Sequence, residues 1–495
     1  MTLDMLGIAV LGVAALLYAA FVPGKGRGWA LLIGSVVGIY WLQPALPIRF
    51  GSYILQTVTI VLTVMSWLLT RPQVVVEQND TGQEKRPFGH EDRVTLLLIG
   101  GLIVVLAFNR FLASEIRITA GRPPSPLAAA LALLFVAVLF AGLLRLLQRL
   151  NQRTVLSGAI VVIVVLFVIM KTVPLATMVS TLWRTLTNQD LVLAGIVDLN
   201  WLGFSYVAFR LIHTMRDRQT GQLPPLSLRE YVTYVIFTPA YIAGPIDRAE
   251  RFVKDFRALL DMVGLEAARF TDAGSRIVVG MFKKFVLADM LAQGVSLNPI
   301  SATQVTSTGG LWLLLYGYAF RLFFDFSGYT DIAIGLGLLF GIRLPENFKR
   351  PYLQTNITQF WQSWHITLSN WVRFYVFSPL SRSLLRRKPR PSPTLIVFVS
   401  QMTTMIVIGL WHGMSWNFFI WGIWHGVALF VHKMWSDRTR KWYRGLKEKP
   451  RQKQAWTLFS WFITFQYVVI GWIWFVIPDV DLAFETIGKL FGFGW

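Results

Sequence analysis

Apolar residues fill the first third of the chain in long unbroken runs, and polar residues are confined to the short stretches between them. The runs fall at about 5–22, 29–47, 52–70, 94–112, 126–148 and 154–174, close to the ~20 residues that a helix needs to cross a bilayer. Each is apolar nearly all round, which predicts lipid contact. None shows the two-residue alternation of a membrane β-barrel. From about residue 192 the texture changes. Residues 201–214 read as a helix ending in the basic turn Arg216-Asp217-Arg218. The stretch 229–248 ends in Ala243-Gly244-Pro245-Ile246-Asp247-Arg248. Gly-Pro beside a charged pair cannot sit bare in hydrocarbon, so a broken or re-entrant helix is predicted there. Residues 249–273 mix charged and apolar positions as an interfacial helix does. A span opens at Gly280-Met281-Phe282-Lys283-Lys284-Phe285. Another covers 308–326 and runs into Phe326-Ser327-Gly328-Tyr329-Thr330-Asp331. The last spans are predicted at 394–411, 415–434 and 456–477, with a short amphipathic tail to Trp495.

The pattern therefore predicts an all-α polytopic membrane protein. A chain that is 54% hydrophobic and only 15% charged is consistent with this, since a soluble protein of 495 residues carries more charge. The net charge of +21 would suit a nucleic-acid binder, but the basic residues sit in loops between apolar runs, as the positive-inside rule expects. Nucleic acid is excluded as a partner on that ground. The strongest basic stretches, 71–93, 381–391 and 436–455, are assigned to the cytoplasmic face and the N-terminus to the outside. Lys25 and Arg27, in a glycine-rich turn, and Arg145, Arg149 and Arg153 fall on the same side. Arg110, Arg117 and Arg122 dissent from the outer side. The first run lacks a basic n-region and reads as a retained helix. There is no internal repeat. Three parts of one continuous membrane domain are expected: helices over 1–190, a core over 191–435, and a basic loop, last span and tail over 436–495.

Candidate chemistry is concentrated late in the chain. Of six histidines, His365, His412 and His425 fall between Pro345 and Gly426, and seven of twenty tryptophans lie between Trp361 and Trp424. Scarce imidazoles in an apolar, aromatic-walled region mark a candidate site, because polar groups in a bilayer are costly. A buried neutral imidazole can take a proton from an alcohol and return it to a leaving group. His412 sits in the turn Gly409-Leu410-Trp411-His412-Gly413-Met414-Ser415-Trp416, which the flanking basic loops place toward the outer leaflet. His365 lies among Trp361, Trp364, Ser369, Asn370 and Arg373, too polar a company for a lipid-facing helix. His425 and His432 read as structural, and Lys283 and Lys284 as topology signals. Asp331, Arg321 and Arg343 are charges near membrane depth. They are expected to be paired, or to line a cavity that reaches His365. Without cysteine there is no thiol nucleophile or thiolate ligand. No histidine pair has a spacing that argues for metal. There is no G-x-S-x-G elbow, P-loop or dinucleotide fingerprint.

Several of these stretches resemble the membrane-bound O-acyltransferase (MBOAT) family, in particular the bacterial branch with alginate O-acetylation and teichoic-acid D-alanylation proteins. They are Phe326-Ser327-Gly328-Tyr329-Thr330-Asp331-Ile332-Ala333-Ile334-Gly335, Pro345-Glu346-Asn347-Phe348, Phe360-Trp361 with Trp364-His365 and Leu368-Ser369, and Gly409-Leu410-Trp411-His412-Gly413. Gly244-Pro245-Ile246-Asp247-Arg248 and Phe282-Lys283-Lys284 fit as well. The resemblance covers about 200–435 with its motifs in order. It implies a ring of about 11–13 helices around a funnel or tunnel. His412 then corresponds to the family's invariant histidine and His365 to its second polar residue. Where the branch carries an acidic residue after the arginine, this chain has Phe374.

The expected function is transfer of an acyl group, acetyl in the first instance, to hydroxyls of an extracytoplasmic polysaccharide or cell-envelope glycan. His412 and His365 are the expected catalytic residues. Trp361, Trp364, Ser369, Asn370, Arg373, Trp411, Trp416 and Asp331 are the expected substrate contacts. No tightly bound cofactor or metal is expected. The donor is expected to be a cytoplasmic thioester, acetyl-CoA or an acyl-carrier protein. Partners are membrane lipid and an operon-encoded transfer protein or acyl carrier, at the cytoplasmic membrane. The alternatives are D-alanyl transfer to teichoic acid from a carrier protein, and a transporter or flippase using the same histidines.

Overall fold

The computed structural model describes residues 4–71, 89–147, 149–262 and 266–494. It is built of helices, and no strand occurs among the described residues. Among the described residues, seven helices are long and apolar enough to cross a membrane: Gly51–Thr70, His90–Phe111, Pro126–Leu147, Gln152–Lys171, Thr308–Leu339, Pro393–His412 and Pro450–Val476. Three further expected spans also form helices, Met5–Phe21, Gly24–Leu42 and Trp416–Arg438. Two of the seven, Pro126–Leu147 and Gln152–Lys171, bury only 11% of their apolar window. Large apolar side chains thus stay bare along them, which is stable only against lipid. The chain is a multi-pass membrane protein.

It divides into two compact units, one of residues 1–275 with 333–344, the other of residues 276–332 with 345–495. In the first, two arginines explain where helices can stop. Arg27 was expected in a turn, yet it lies in the first turns of the Gly24–Leu42 helix, buried. Its guanidinium donates to the carbonyls of Ala19 (3.2 Å) and Val22 (3.1 Å), at the end of the preceding helix. Those carbonyls have no partner within their own helix. Arg210 does the same for the predicted break. The Leu228–Ile236 helix is only 9 residues long and gives way to a short 3-10 turn and extended chain. Buried Arg210 donates to Val235 O (2.6 Å) and Ala240 O (2.8 Å), so backbone that a bilayer would leave bare is satisfied by protein. The Gly-Pro motif then leads into Ala249–Ala258, an amphipathic helix. Of the basic stretch 71–93, residues 72–88 lie outside the described residues.

In the second unit, the span expected at 308–326 does not end at the Phe326–Asp331 motif. The helix runs unbroken from Thr308 to Leu339, its last seven residues belonging to the first unit. Nothing in the motif breaks a helix, and its glycine serves packing. A Cβ on Gly328 would stand 2.7 Å from Gly280 O and 2.9 Å from Lys284 N, so the two helices cross backbone to backbone there. Lys283 and Lys284, at a π-helical turn over Phe282–Ala288, are not mere topology signals. Lys283 Nζ pairs with Asp331 Oδ2 at 2.7 Å, and Lys284 pairs with Asp325. Arg321 reaches Ser296 Oγ at 3.4 Å. Arg343, expected to be paired or to line a cavity, is exposed just beyond the helix end.

Candidate active site

Pro393–His412 and Trp416–Arg438 form an antiparallel hairpin with His412 as the last residue of the first helix. The basic segment around 381–391 precedes one arm and the basic segment from Arg438 follows the other. Both therefore lie at the end opposite His412, about 30 Å away for a 20-residue helix. Glycine lets the arms close: a Cβ on Gly409 would overlap the Phe418 carbonyl, and one on Gly413 would stand 2.7 Å from the Phe418 ring. Asn417 Nδ2 donates to Trp474 O at 3.0 Å, tying the turn to the Pro450–Val476 helix. The His412 ring is thereby enclosed by Trp411 (4.6 Å between centroids), Phe475 (4.8 Å), Trp421 (5.6 Å) and Phe418 (5.9 Å).

His365 arrives from a different kind of element. It caps the short Ile366–Val372 helix with left-handed backbone, φ 42° and ψ 54°, a conformation that costs a non-glycine residue about 1–2 kcal/mol. The Pro345–Phe348 motif holds it there. Asn347, fully buried, accepts from Ile366 N through its backbone carbonyl (2.9 Å). Its side-chain Oδ1 accepts from Thr367 N (3.2 Å) and Thr367 Oγ1 (2.6 Å). The imidazole is buried against Phe326 (4.7 Å) and Trp411 (6.0 Å), and its Nε2 has no hydrogen-bond partner among the described residues. Burial pushes its pKa down to about 3, so the ring is neutral near pH 7.

The two histidines thus share Trp411 as a common wall. On the other side of His412, Trp421 leads to His425 (4.8 Å), which is fully buried between Trp421 and Trp361 (5.1 Å), and neither of its ring nitrogens has a hydrogen-bond partner among the described residues. All three histidines of the stretch therefore line one aromatic box. His432 lies outside it, with Nδ1 3.0 Å from Thr358 Oγ1.

The expected contact residues separate in space. Trp361 and Trp411 are walls of the box. Trp364 packs one layer behind, on Trp472 (5.0 Å) and Phe348 (5.1 Å), and Ser369 Oγ donates to its carbonyl (3.2 Å). Asn370 is exposed, as is Arg373, whose guanidinium lies 5.9 Å from the Phe374 ring. Trp416 is 73% exposed and packs on Phe419, outside the box. Phe326 figures in the sequence only within its motif, and Trp421 and Phe475 are not among the expected contacts. Phe475 meets His412 from another helix, while Trp421 meets His412 across the hairpin and His425 four residues along its own helix.

Asp331 belongs to a neighbouring feature. Its carboxylate takes Lys283 (2.7 Å) and Arg276 (3.0 Å), and Arg276 also binds Glu346. Lys283, Asp331 and Glu346 border a cavity of about 350 Å³ whose lining also includes Phe348, Lys349 and Arg350. It does not open on His365 directly: Phe348 meets Phe326 (5.1 Å), and Phe326 meets His365.

An all-helical scaffold with apolar helices of bilayer length defines a class of multi-pass membrane protein. The chain belongs to the membrane-bound O-acyltransferase family, whose model matches residues 154–473. It is 34% identical over 286 residues to a teichoic acid D-alanyltransferase of Streptococcus thermophilus, covering 56% of this chain and 68% of the relative. It is 35% identical over 294 residues to a probable alginate O-acetylase of Pseudomonas putida, covering 59% and 56%. To a peptidoglycan O-acetyltransferase of Helicobacter pylori it is 33% identical over 267 residues, covering 53% and 46%. The matched part thus spans between about half and two thirds of these curated relatives.

Proposed function

We propose that the protein transfers an acyl group, acetyl in the first instance, from a cytoplasmic thioester to hydroxyls of an extracytoplasmic glycan, and that it does so in the cytoplasmic membrane. The observation that carries this reading is the joining of His412 and His365 through Trp411 at the hairpin end opposite the basic segments. Positive segments favour the cytoplasm, so the acceptor would approach from the other side. In this reading His412 takes the proton of the acceptor hydroxyl as its oxygen attacks the thioester carbonyl. The tetrahedral intermediate collapses with cleavage of the carbon–sulfur bond, and the proton passes to the departing thiolate. His365 orients this exchange or donates to the oxyanion. The carrier could be CoA or an acyl-carrier protein, with an operon-encoded partner completing delivery. D-alanyl transfer is the second reading, supported by the relative named for it.

The test is acylation of the envelope glycan in cells, and thioester consumption by purified protein. Removing a general base costs ~10²–10⁴-fold in rate. His412→Ala is expected to abolish measurable transfer at normal membrane abundance, His365→Ala to lower it strongly, and His432→Ala to leave it nearly unchanged. A well-inserted His412→Ala protein with wild-type transfer would refute the mechanism and favour a transporter.

A further inference from the structure

The cavity beside Asp331 is built for a ligand that the histidine box does not need. Three cations line it, Lys283, Lys349 and Arg350, against two carboxylates, Asp331 and Glu346, both of which Arg276 also pairs. Both carboxylates are already engaged, by Arg276 and Lys283. The side chains of Lys349 and Arg350 make no hydrogen bond or ion pair among the described residues, so two positive charges face the space uncompensated. The wall also holds Ser327 and Thr330, 3% and 2% exposed, whose hydroxyls have no partner among the described residues. Buried hydroxyls without partners are costly, and each here is a ready donor. Arg350 itself stands in left-handed backbone (φ 50°) immediately before a proline, where an extended conformation is favoured. Gln354 Nε2 fastens that turn by donating to Lys349 O (3.2 Å) and Arg350 O (3.0 Å).

Position adds a second constraint. Along the Thr308–Leu339 helix, Asp331 lies five residues beyond Phe326, about 7.5 Å further toward the C-terminal end. Trp312, near the other end, donates to Leu490 O in the tail that follows the Pro450–Val476 helix. The cavity is therefore displaced from His365 toward the end of this unit that carries the basic segments.

We propose that this cavity is a phosphate-binding site. A phosphate carries the charge that Lys349 and Arg350 leave unbalanced, and its oxygens accept from ammonium, guanidinium and hydroxyl donors together. The phosphate could belong to the thioester donor, as the phosphate that ends its pantetheine arm, or to a lipid headgroup. Only the first source rests on the acyl-transfer reading.

The test is calorimetric titration of purified His412→Ala protein in neutral detergent, where no turnover intervenes. Two matched pairs serve as probes: 4′-phosphopantetheine against pantetheine, and short-chain phosphatidic acid against the corresponding diacylglycerol. The phosphorylated member of one pair is expected to bind at least about tenfold more tightly, since hydrogen bonds to charged groups are the strong ones. The pair that shows the preference identifies the source. Lys349→Ala with Arg350→Gly should erase it, and should not lower the melting temperature, because both side chains are exposed and glycine relieves the left-handed turn. Equal binding within both pairs, or a preference that survives the double variant, overturns the proposal. Intact phosphate discrimination in a protein whose wild type transfers no acyl group would instead sink the acyl-transfer reading alone.

Discussion

Asn347→Ala is the sharpest test of how the site is held. The substitution deletes the acceptor of two buried hydrogen bonds, from Thr367 N and Thr367 Oγ1. Leaving a buried donor unsatisfied costs about 1–3 kcal/mol, so the pair amounts to roughly 2–6 kcal/mol of local stability. The same contacts hold His365 in left-handed backbone against about 1–2 kcal/mol of intrinsic preference. Losing them removes the restraint and leaves the strain, and the His365 loop should relax. A displacement of about 1 Å in a catalytic group can cost ~10²-fold in rate. Two readouts follow. Hydrogen exchange in detergent should show the Ile366 and Thr367 amides exchanging faster in the variant, while the Pro393–His412 helix is unchanged. Acyl transfer in cells should fall by about two orders of magnitude at equal membrane abundance. Asn347→Asp retains both accepted bonds, and the Nδ2 it loses has no partner among the described residues, so it should restore much of both. Unchanged exchange at Ile366 and Thr367 in Asn347→Ala would refute the argument, whatever the activity.

Gly409→Ala places a methyl group on the Phe418 carbonyl, so the hairpin must open; thermal unfolding in detergent should drop by several degrees, and an unchanged midpoint would mean the arms have slack. Gly445→Cys, in this cysteine-free chain, should resist an impermeant thiol reagent applied outside intact cells, and labelling there would reverse the orientation. His365 adds a pH dependence whose sign is fixed. Its folded pKa of about 3 lies below the ordinary 6.5, so the unfolded chain takes up a proton there that the fold refuses. Stability should hold above about pH 6.5 and fall as pH drops toward 3, by up to about 1.4 kcal/mol per unit. His365→Gln should flatten that slope, and an identical slope would show that the ring is not buried neutral.

Much of this protein is legible along the chain. Hydrophobic runs of bilayer length give the spans, since a lipid-embedded helix satisfies its backbone internally and needs only apolar side chains. Gly244-Pro245 beside Asp247 and Arg248 announced a break, because such a sequence cannot continue a helix in hydrocarbon. Three histidines and seven tryptophans within one stretch marked the candidate site. What only the tertiary structure decided are the contacts made between distant residues. The sequence holds Arg27 and Arg210 but not the carbonyls they reach. It holds Asn347 but not the strained turn it keeps for His365, and Lys283 and Lys284 but not their carboxylates 48 and 41 residues away. Helical periodicity names the residues that share one helix face, whereas Trp421 and Phe475 meet His412 from helices packed beside its own. Which faces meet depends on glycines such as Gly328 and Gly409 that permit a close crossing, and that information belongs to pairs of helices and to no single segment.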